Sequence, residues 1–297
     1  MTNYSPLRYP GGKGKLAGYV ASVLSLNDLE GGHYAEPFAG GAAVALELLM
    51  TERVKHIHIN DIDWCVYSFW KSAVHHTDDL IALIESTPVT MESWMMAREV
   101  KRRGATDNIV ASGFSTFFLN RTNRSGILNG GVIGGLEQAG EWKIGCRYNK
   151  DDLINKIRRI GMYRSRISVT QLDASHFLGK HMEDVDAKCL IYIDPPYYVK
   201  GASLYQNHFV HKDHVALAEI VGRIKKHSWF VSYDNVAQIR LIYSAFDQEQ
   251  FSIGYSARNH GHGSEVMIFG PGVDRPERIY SSKTQLKSFK RLNVSAA

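Results

Sequence analysis

Cysteine is scarce in this chain. Its 297 residues contain three, Cys65, Cys146 and Cys189, an odd number with no Cys-x-x-Cys spacing, which excludes a disulfide framework and a cysteine zinc site and suits a reducing cytoplasm. No apolar run approaches the roughly 18 residues of a membrane span, and the N-terminus lacks the apolar stretch of a signal peptide, so neither is expected. Acidic residues at ligand spacing are missing beside the histidine pairs His56/His58 and His260/His262, so no metal is expected. Repeats and low-complexity tracts are lacking too. Charge of one sign is only mildly in excess, at net +5 and pI about 8.9, which suits a polyanionic partner without demanding one.

What is present is most telling at Ile193-Asp194-Pro195-Pro196-Tyr197, which closes the apolar run 189–193. A buried strand ending in an acid, two prolines and an aromatic ring puts a carboxylate, a rigid carbonyl and a flat face at one rim. The prolines fix φ and remove two backbone donors, so this turn offers acceptors. Asp194 and the Pro195 carbonyl suit the two protons of an exocyclic amine such as adenine N6, and Tyr197 suits stacking on the ring. A Pro-Pro stop with Asp194 as a cap is the plainer alternative.

Two further motifs surround it. Residues 34–42, Tyr-Ala-Glu-Pro-Phe-Ala-Gly-Gly-Ala, lead from a short apolar segment into a helical run at 43–49, the strand, small-residue turn and helix by which α/β sheets approach a nucleotide-like ligand. Twenty positions after Gly41, the run 56–60 delivers Asp61 to a second strand end, where an acid accepts from ribose hydroxyls. Ala42 and Ala43 stand where a dinucleotide fingerprint has further glycines, so a nucleoside without phosphates is the better fit. The opening stretch 6–15 contains Arg8-Tyr9-Pro10-Gly11-Gly12-Lys13 but not the spacing of a phosphate loop. It reads either as a flexible basic N-terminus or as a partner for an adenosyl group, with Tyr9 near the nucleoside and Lys13 polarising the pocket.

Taken in order, Arg8 to Lys13, Glu36-Pro37-Phe38-Ala39-Gly40-Gly41, Asn60-Asp61 and Asp194 to Tyr197 resemble the Dam-type, D12-class, alpha-group DNA adenine-N6 methyltransferases, over residues 6 to about 270. The resemblance implies an α/β, Rossmann-like mixed seven-stranded sheet of the S-adenosylmethionine-dependent methyltransferase fold, with an inserted, mainly helical target-recognition domain. It implies S-adenosyl-L-methionine contacts at Tyr9, Lys13, Asp61 and Asp194, with Phe38 to Gly41, including Gly40, beneath the cofactor and Asp173 facing its adenine. It assigns catalysis to Asp194, Pro195, Pro196 and Tyr197, by direct attack of a flipped-out adenine in double-stranded DNA. Asn120-Arg121-Thr122-Asn123-Arg124-Ser125-Gly126 is similar to the family's Asn-Arg-x-x-x-x-Gly loop, which makes Asn120, Arg121, Asn123 and Arg124 the DNA-reading candidates. An ordinary polar loop is the alternative. The continuation Ile127-Leu128-Asn129-Gly130-Gly131 departs from the Leu-Cys-Arg-Tyr-Asn common in GATC readers, so the recognition sequence does not carry over. No Pro-Cys nucleophile of the cytosine-C5 enzymes occurs.

Strand and helix signals alternate over 16–67, give way to helices at 78–85 and 91–103 and a Gly/Asn-rich stretch at 126–140, then resume at 167–172, 189–193, 214–226 and 229–233. The expected domains are 1–70 with 161–297 for catalysis and 71–160 for target recognition. Asp213 is expected to cap the helix at 214–226, with Lys225 and Lys226 at its negative end. Lys101-Arg102-Arg103 fits phosphate contact or simple helix-dipole compensation. Strands at 250–255 and 266–269 are expected to close the sheet as a hairpin, before a basic tail bearing Lys283, Lys287, Lys290 and Arg291. A cytoplasmic monomer is expected. The rival readings are an RNA adenine or protein-glutamine methyltransferase, a catalytically silent DNA-binding relative, and a nicotinamide-dependent enzyme.

Overall fold

The computed structural model describes residues 3–9, 13–105, 107–199, 209–253 and 263–277, with the short pairs 280–281, 284–285 and 290–291. Pro10, Gly11, Gly12, His260, His262, Lys283 and Lys287 lie outside the described residues.

Three parallel strands open the sheet, β1 (His33–Glu36), β2 (His56–Asn60) and β3 (Ile167–Thr170), and the chain then returns to place β4 (Cys189–Ile193) on the other side of β1. Next come β5 (Ser228–Asp234), parallel to β4, and the hairpin of β6 (Asp247–Ile253) and β7 (Gly263–Phe269), with β7 antiparallel to both β5 and β6. The order β6-β7-β5-β4-β1-β2-β3 is the expected mixed seven-stranded sheet of the methyltransferase fold, and the two-residue strand at Lys290–Arg291 adds an eighth at the β6 edge. All five residues of β4 are buried, as a central parallel strand covered on both faces requires. Strand order reverses between β1 and β4, and the crevice beyond the carboxyl ends of strands at such a reversal is where open α/β sheets take ligands.

Helices α1 (Ala17–Leu26) and α2 (Ala43–Met50) flank β1 in sequence. Between β2 and β3 run α3 (Trp64–His75), α4 (Thr77–Ser86), α5 (Met91–Arg102), α6 (Ile109–Thr122) and α7 (Lys150–Met162). Four of these starts have a side-chain cap that takes an otherwise unpaired amide: Asp63, Thr90, Asn108 and Asn149. The expected boundaries at 71 and 160 fall inside α3 and α7. Phe69, Trp70, Phe117, Phe118, Leu153 and Ile157 belong to the same buried cluster as Leu16, Tyr34, Leu46 and Ile57, so the helical insertion shares the sheet's core. The opposite face packs under α8 (Ala174–Gly179), α9 (His211–Gly222) and α10 (Ala237–Ile242).

Helix α9 begins and ends earlier than 214–226. Asp213 sits within the first turn and reaches back, its Oδ2 accepting from Val210 N at 2.9 Å. Lys226 lies beyond the end and donates to the Glu183 carbonyl. No helix among the described residues is long and apolar enough to cross a membrane.

Candidate active site

The turn after β1 is shaped by two left-handed residues, Gly40 at φ +45° and Ala42 at φ +44°. The Tyr9 ring lies against it, since a Cβ on Gly40 would come within 2.7 Å of that ring. Gly40 N donates to Asp61 Oδ2 at 2.9 Å, Trp70 Nε1 donates to Gly40 O at 2.8 Å, and Ser5 Oγ donates to Gly41 O at 2.6 Å. Asn60 ties the neighbouring strand ends together: its Nδ2 donates to the Pro37 and Leu172 carbonyls, and its Oδ1 accepts from Leu172 N and Thr170 Oγ1. Asp61 and Asp173 thereby stand at the same rim as the turn.

Burial, and then the charge of Asp63, push the Asp61 carboxyl up to about 7. Burial also pushes Glu36 up to about 8, which favours its protonated form. Its Oε1 accepts from Tyr34 Oη and from Ala45 N in the first turn of α2. Asp173 is exposed and caps α8, and the Ser175 hydroxyl and amide it accepts from hold it below the usual carboxylate range. Phe38 is half-buried, edge-on to Phe209 at 5.8 Å.

At the carboxyl end of β4, Asp194 keeps 24% of its side chain exposed. Its Oδ1 accepts from Lys13 Nζ at 2.9 Å and from Ser232 Oγ at 2.6 Å, while Oδ2 has one longer contact, 3.2 Å to the same ammonium. Pro195 is buried and Pro196 half-buried. The next turn is clamped by Asp234, whose two oxygens accept from Tyr198 N and Val199 N at 2.8 and 2.9 Å.

Two of the expected site residues are enclosed here. Tyr197, expected as an open stacking face, is 6% exposed; its hydroxyl accepts from Lys13 at 2.7 Å and donates to Glu265 Oε1 at 3.0 Å. Lys13, expected against the cofactor, is 5% exposed and engaged by Asp194, Tyr197 and, at 3.6 Å, Glu265 Oε2. A buried ammonium requires such partners. Ser232 and Glu265 carried no local signal in sequence, because each occupies an ordinary polar place in a strand.

The Asn120–Gly126 segment is tied to the N-terminal segment at Arg8. Asn120 Oδ1 accepts from Arg8 N at 2.7 Å, and its Nδ2 donates to Arg8 O and Gly126 O at 2.9 and 3.0 Å. Asn123 Nδ2 donates to the Ile127 and Leu128 carbonyls, and its Oδ1 accepts from Trp94 Nε1. Both are buried, so the amides expected at base edges are engaged within the protein, Asn120 by Arg8 and Gly126 and Asn123 by Ile127, Leu128 and Trp94. Arg121 donates to the Arg147 and Pro6 carbonyls, and burial lowers its guanidinium to about 10. Arg124 alone of the four is exposed. A groove of about 360 Å³ is lined from α5 by Trp94, Met95, Arg98, Glu99, Lys101 and Arg102 and closed by Leu128 and Asn129, with Arg98 4.8 Å over the Trp94 ring.

Among the described residues no group of three or more histidine, cysteine or acidic side chains is placed to hold a metal ion. A family model described as D12 class N6 adenine-specific DNA methyltransferase matches residues 9–256. Two solved structures are similar at low identity. The rRNA methyltransferase aviRa from Streptomyces viridochromogenes is 9% identical over 84% of this chain and 83% of its own, with a TM-score of 0.32. Protein LPL1258 from Legionella pneumophila is 12% identical over 89% and 87%, also with a TM-score of 0.32. No curated protein matches the chain.

Proposed function

The chain belongs to the D12 class of N6 adenine-specific DNA methyltransferases, and from that premise we propose that it methylates a flipped-out adenine of double-stranded DNA from S-adenosyl-L-methionine. The observation that carries the reading is the state of Asp194. One carboxylate oxygen is fixed by Lys13 and Ser232, and the other, with a single longer contact, is left to accept a proton of the target amine.

The residues of the crevice fit the cofactor by their chemistry. Asp61, held by Gly40 N and Asp63 N, offers a carboxylate to ribose hydroxyls. The small-residue turn from Phe38 to Gly41, with Tyr9 against it, lets backbone approach a nucleoside, and exposed Asp173 stands at the same rim for its purine. When bound, S-adenosyl-L-methionine supplies an electrophilic methyl group.

Asp194 and the Pro195 carbonyl accept the two N6 protons, which weakens the amine's conjugation with the purine and frees its lone pair for attack. Tyr197 and Pro196 support the base. Asp194 then takes the proton that N6 sheds. Acceleration comes from positioning and from preorganised acceptors in a site sheltered from water. Rotating the adenine out of the stack costs a few kcal/mol, offset by contacts from the helical insertion, where exposed Arg124 and the Arg98 groove meet the duplex. The protein acts as a monomer in the reducing cytoplasm, where its three thiols stay free.

Asp194→Ala is expected to abolish methyl transfer to duplex DNA, scored as N6-methyladenosine after nucleoside digestion, while circular dichroism stays native. Full activity in that variant overturns the reading, as does wild-type transfer to RNA or protein in place of DNA.

A further inference from the structure

The register of β4 and β5 sets Tyr192 opposite Phe230 and Ile193 opposite Val231, so the next step along both strands brings Ser232 beside Asp194. Side chains two apart on a strand share a face. Tyr192 and Asp194 therefore stand in line on one strand, with Phe230 and Ser232 in line beside them. Tyr192 is 2% exposed and Ser232 0%. A buried hydroxyl costs free energy unless it is bonded, whereas replacing both partners of a buried pair by apolar groups of the same shape can be nearly neutral. Phenylalanine and alanine would serve packing alone as well.

The two hydroxyls have a direction. Ser232 Oγ donates to Asp194 Oδ1 at 2.6 Å, and a hydroxyl has a single proton, so in the 2.8 Å contact between Tyr192 Oη and Ser232 Oγ the tyrosine donates. Burial holds the Tyr192 phenol well above its usual value, so the proton it donates stays on it. The ring is fixed from the core: it stacks on Phe230 at 4.6 Å with the planes 16° apart, and Phe230 in turn meets Tyr19 edge-on at 6.4 Å.

We propose that Tyr192 and Ser232 are positioning residues of the transfer site, a relay of two hydroxyls that fixes Asp194 Oδ1 from inside the core and leaves Oδ2 to the target amine. Tyr192 acts only through Ser232. By filling one lone pair of the serine oxygen it turns the serine proton to Asp194. The inference rests on the adenine-methylation reading above and deepens it. Catalysis by positioning is lost when a reacting group swings out of line, so the effect of the relay falls on the rate of transfer and not on binding.

Single-turnover methylation of duplex DNA tests this, with the affinity for S-adenosyl-L-methionine measured by calorimetry and that for DNA by fluorescence anisotropy. Ser232→Ala is expected to transfer about tenfold more slowly, the size of one lost hydrogen bond at a reacting group, with both affinities unchanged. Tyr192→Phe, which keeps the stacked ring, is expected to slow transfer by a smaller factor. The double variant is expected to be no slower than Ser232→Ala, because a tyrosine that acts through the serine has no effect once the serine hydroxyl is gone. A merely structural role would lower the melting temperature and leave the rate below melting untouched. The wild-type rate in either single variant, or factors that multiply in the double one, overturns the proposal, as does a loss confined to ligand affinity. Should Ser232→Ala fail to fold, Tyr192→Phe decides alone: slower transfer at unchanged affinities upholds the relay, and the wild-type rate overturns it. A wild type that leaves duplex adenine unmethylated removes the methylation reading and the relay with it, whereas an active wild type with multiplying variants removes the relay only.

Discussion

Asp61 shows how one residue's surroundings set a measurable property of the whole site. Its ordinary carboxylate value of 3.8 rises to about 7 through burial first and Asp63 second, while the amides of Asp63 and Gly40 pull the other way. Only the ionised form offers all its lone pairs to hydroxyl donors, so protonation competes with the ribose contact proposed for it. Affinity for S-adenosyl-L-methionine is expected to fall as pH drops from 8 to 6, by at most about tenfold per unit below 7. Isothermal titration across that range checks it, and Asp61→Asn should give a flat, weaker profile. A slope that persists in Asp61→Asn assigns the titration to another group. In stability the sign is reversed. The raised carboxyl is worth most at low pH, and its contribution is lost as pH rises from the unfolded value near 4 through 7.

Elements meet where the loop after α6 docks on the N-terminal segment. Gly126 has φ +77°, and a Cβ there would sit 2.0 Å from Arg8 O. Gly126→Ala is expected to destabilise the protein by about 2 kcal/mol or more, from left-handed strain plus the clash, and to raise KM for DNA by loosening the Arg8–Asn120 pair. Gly131→Ala, where a Cβ meets nothing within 4 Å, serves as the matched control; equal melting temperatures for the two variants would sink the argument. This docking also marks the limit of what was legible in the chain. The bounds of β4 and the return after it were readable because an apolar run stopped by two prolines is a local signal. The backbone engagement of Asn120 and Asn123 was not, since the amide that matches a base edge matches a backbone peptide equally well. Asp213 was misplaced by the same ambiguity, because an acid at the third position of a helix can reach back to the cap. Lys13 and Glu265 meet only through the sheet, and no spacing along the chain announces them.

At the scale of the molecule, the sheet carries its chemistry at one end and a histidine cluster at the other. Asp61 and Asp194 follow the carboxyl ends of β2 and β4, whereas His33 and His56 open β1 and β2. His33 Nδ1 lies 2.9 Å from His58 Nε2, and the His56 and His181 rings centre 4.7 and 5.7 Å from that of His58. Burial first, then like charges, lower His58 to about 3 and His56 to about 4, and His33, His181 and His227 shift down as well. Lys55, Arg166 and Lys226 oppose protonation, while Asp184 and Asp186 favour it. With folded values below the unfolded 6.5, these imidazoles stay neutral in the fold and take protons on unfolding. Their contribution is intact above pH 6.5 and is lost as pH falls toward 3, at a limit of about 1.4 kcal/mol per pH unit for each group. His58 and His227, each 7% exposed, come nearest that limit; His33, His56 and His181 are partly screened by solvent. Glu36 and Asp61, with raised values, gain stability over the same fall in pH, up to the same limit for each group, and so oppose the loss. Thermal unfolding is therefore expected to show the Tm of His58→Gln rising relative to wild type as pH falls from 6.5 to 4.5. Because the cluster stands at the far strand ends, the same variant should methylate DNA at pH 8 at the wild-type rate. A Tm difference between His58→Gln and wild type that stays constant over that range would place the acid sensitivity elsewhere, and lost activity at pH 8 would show that the two ends of the sheet are coupled.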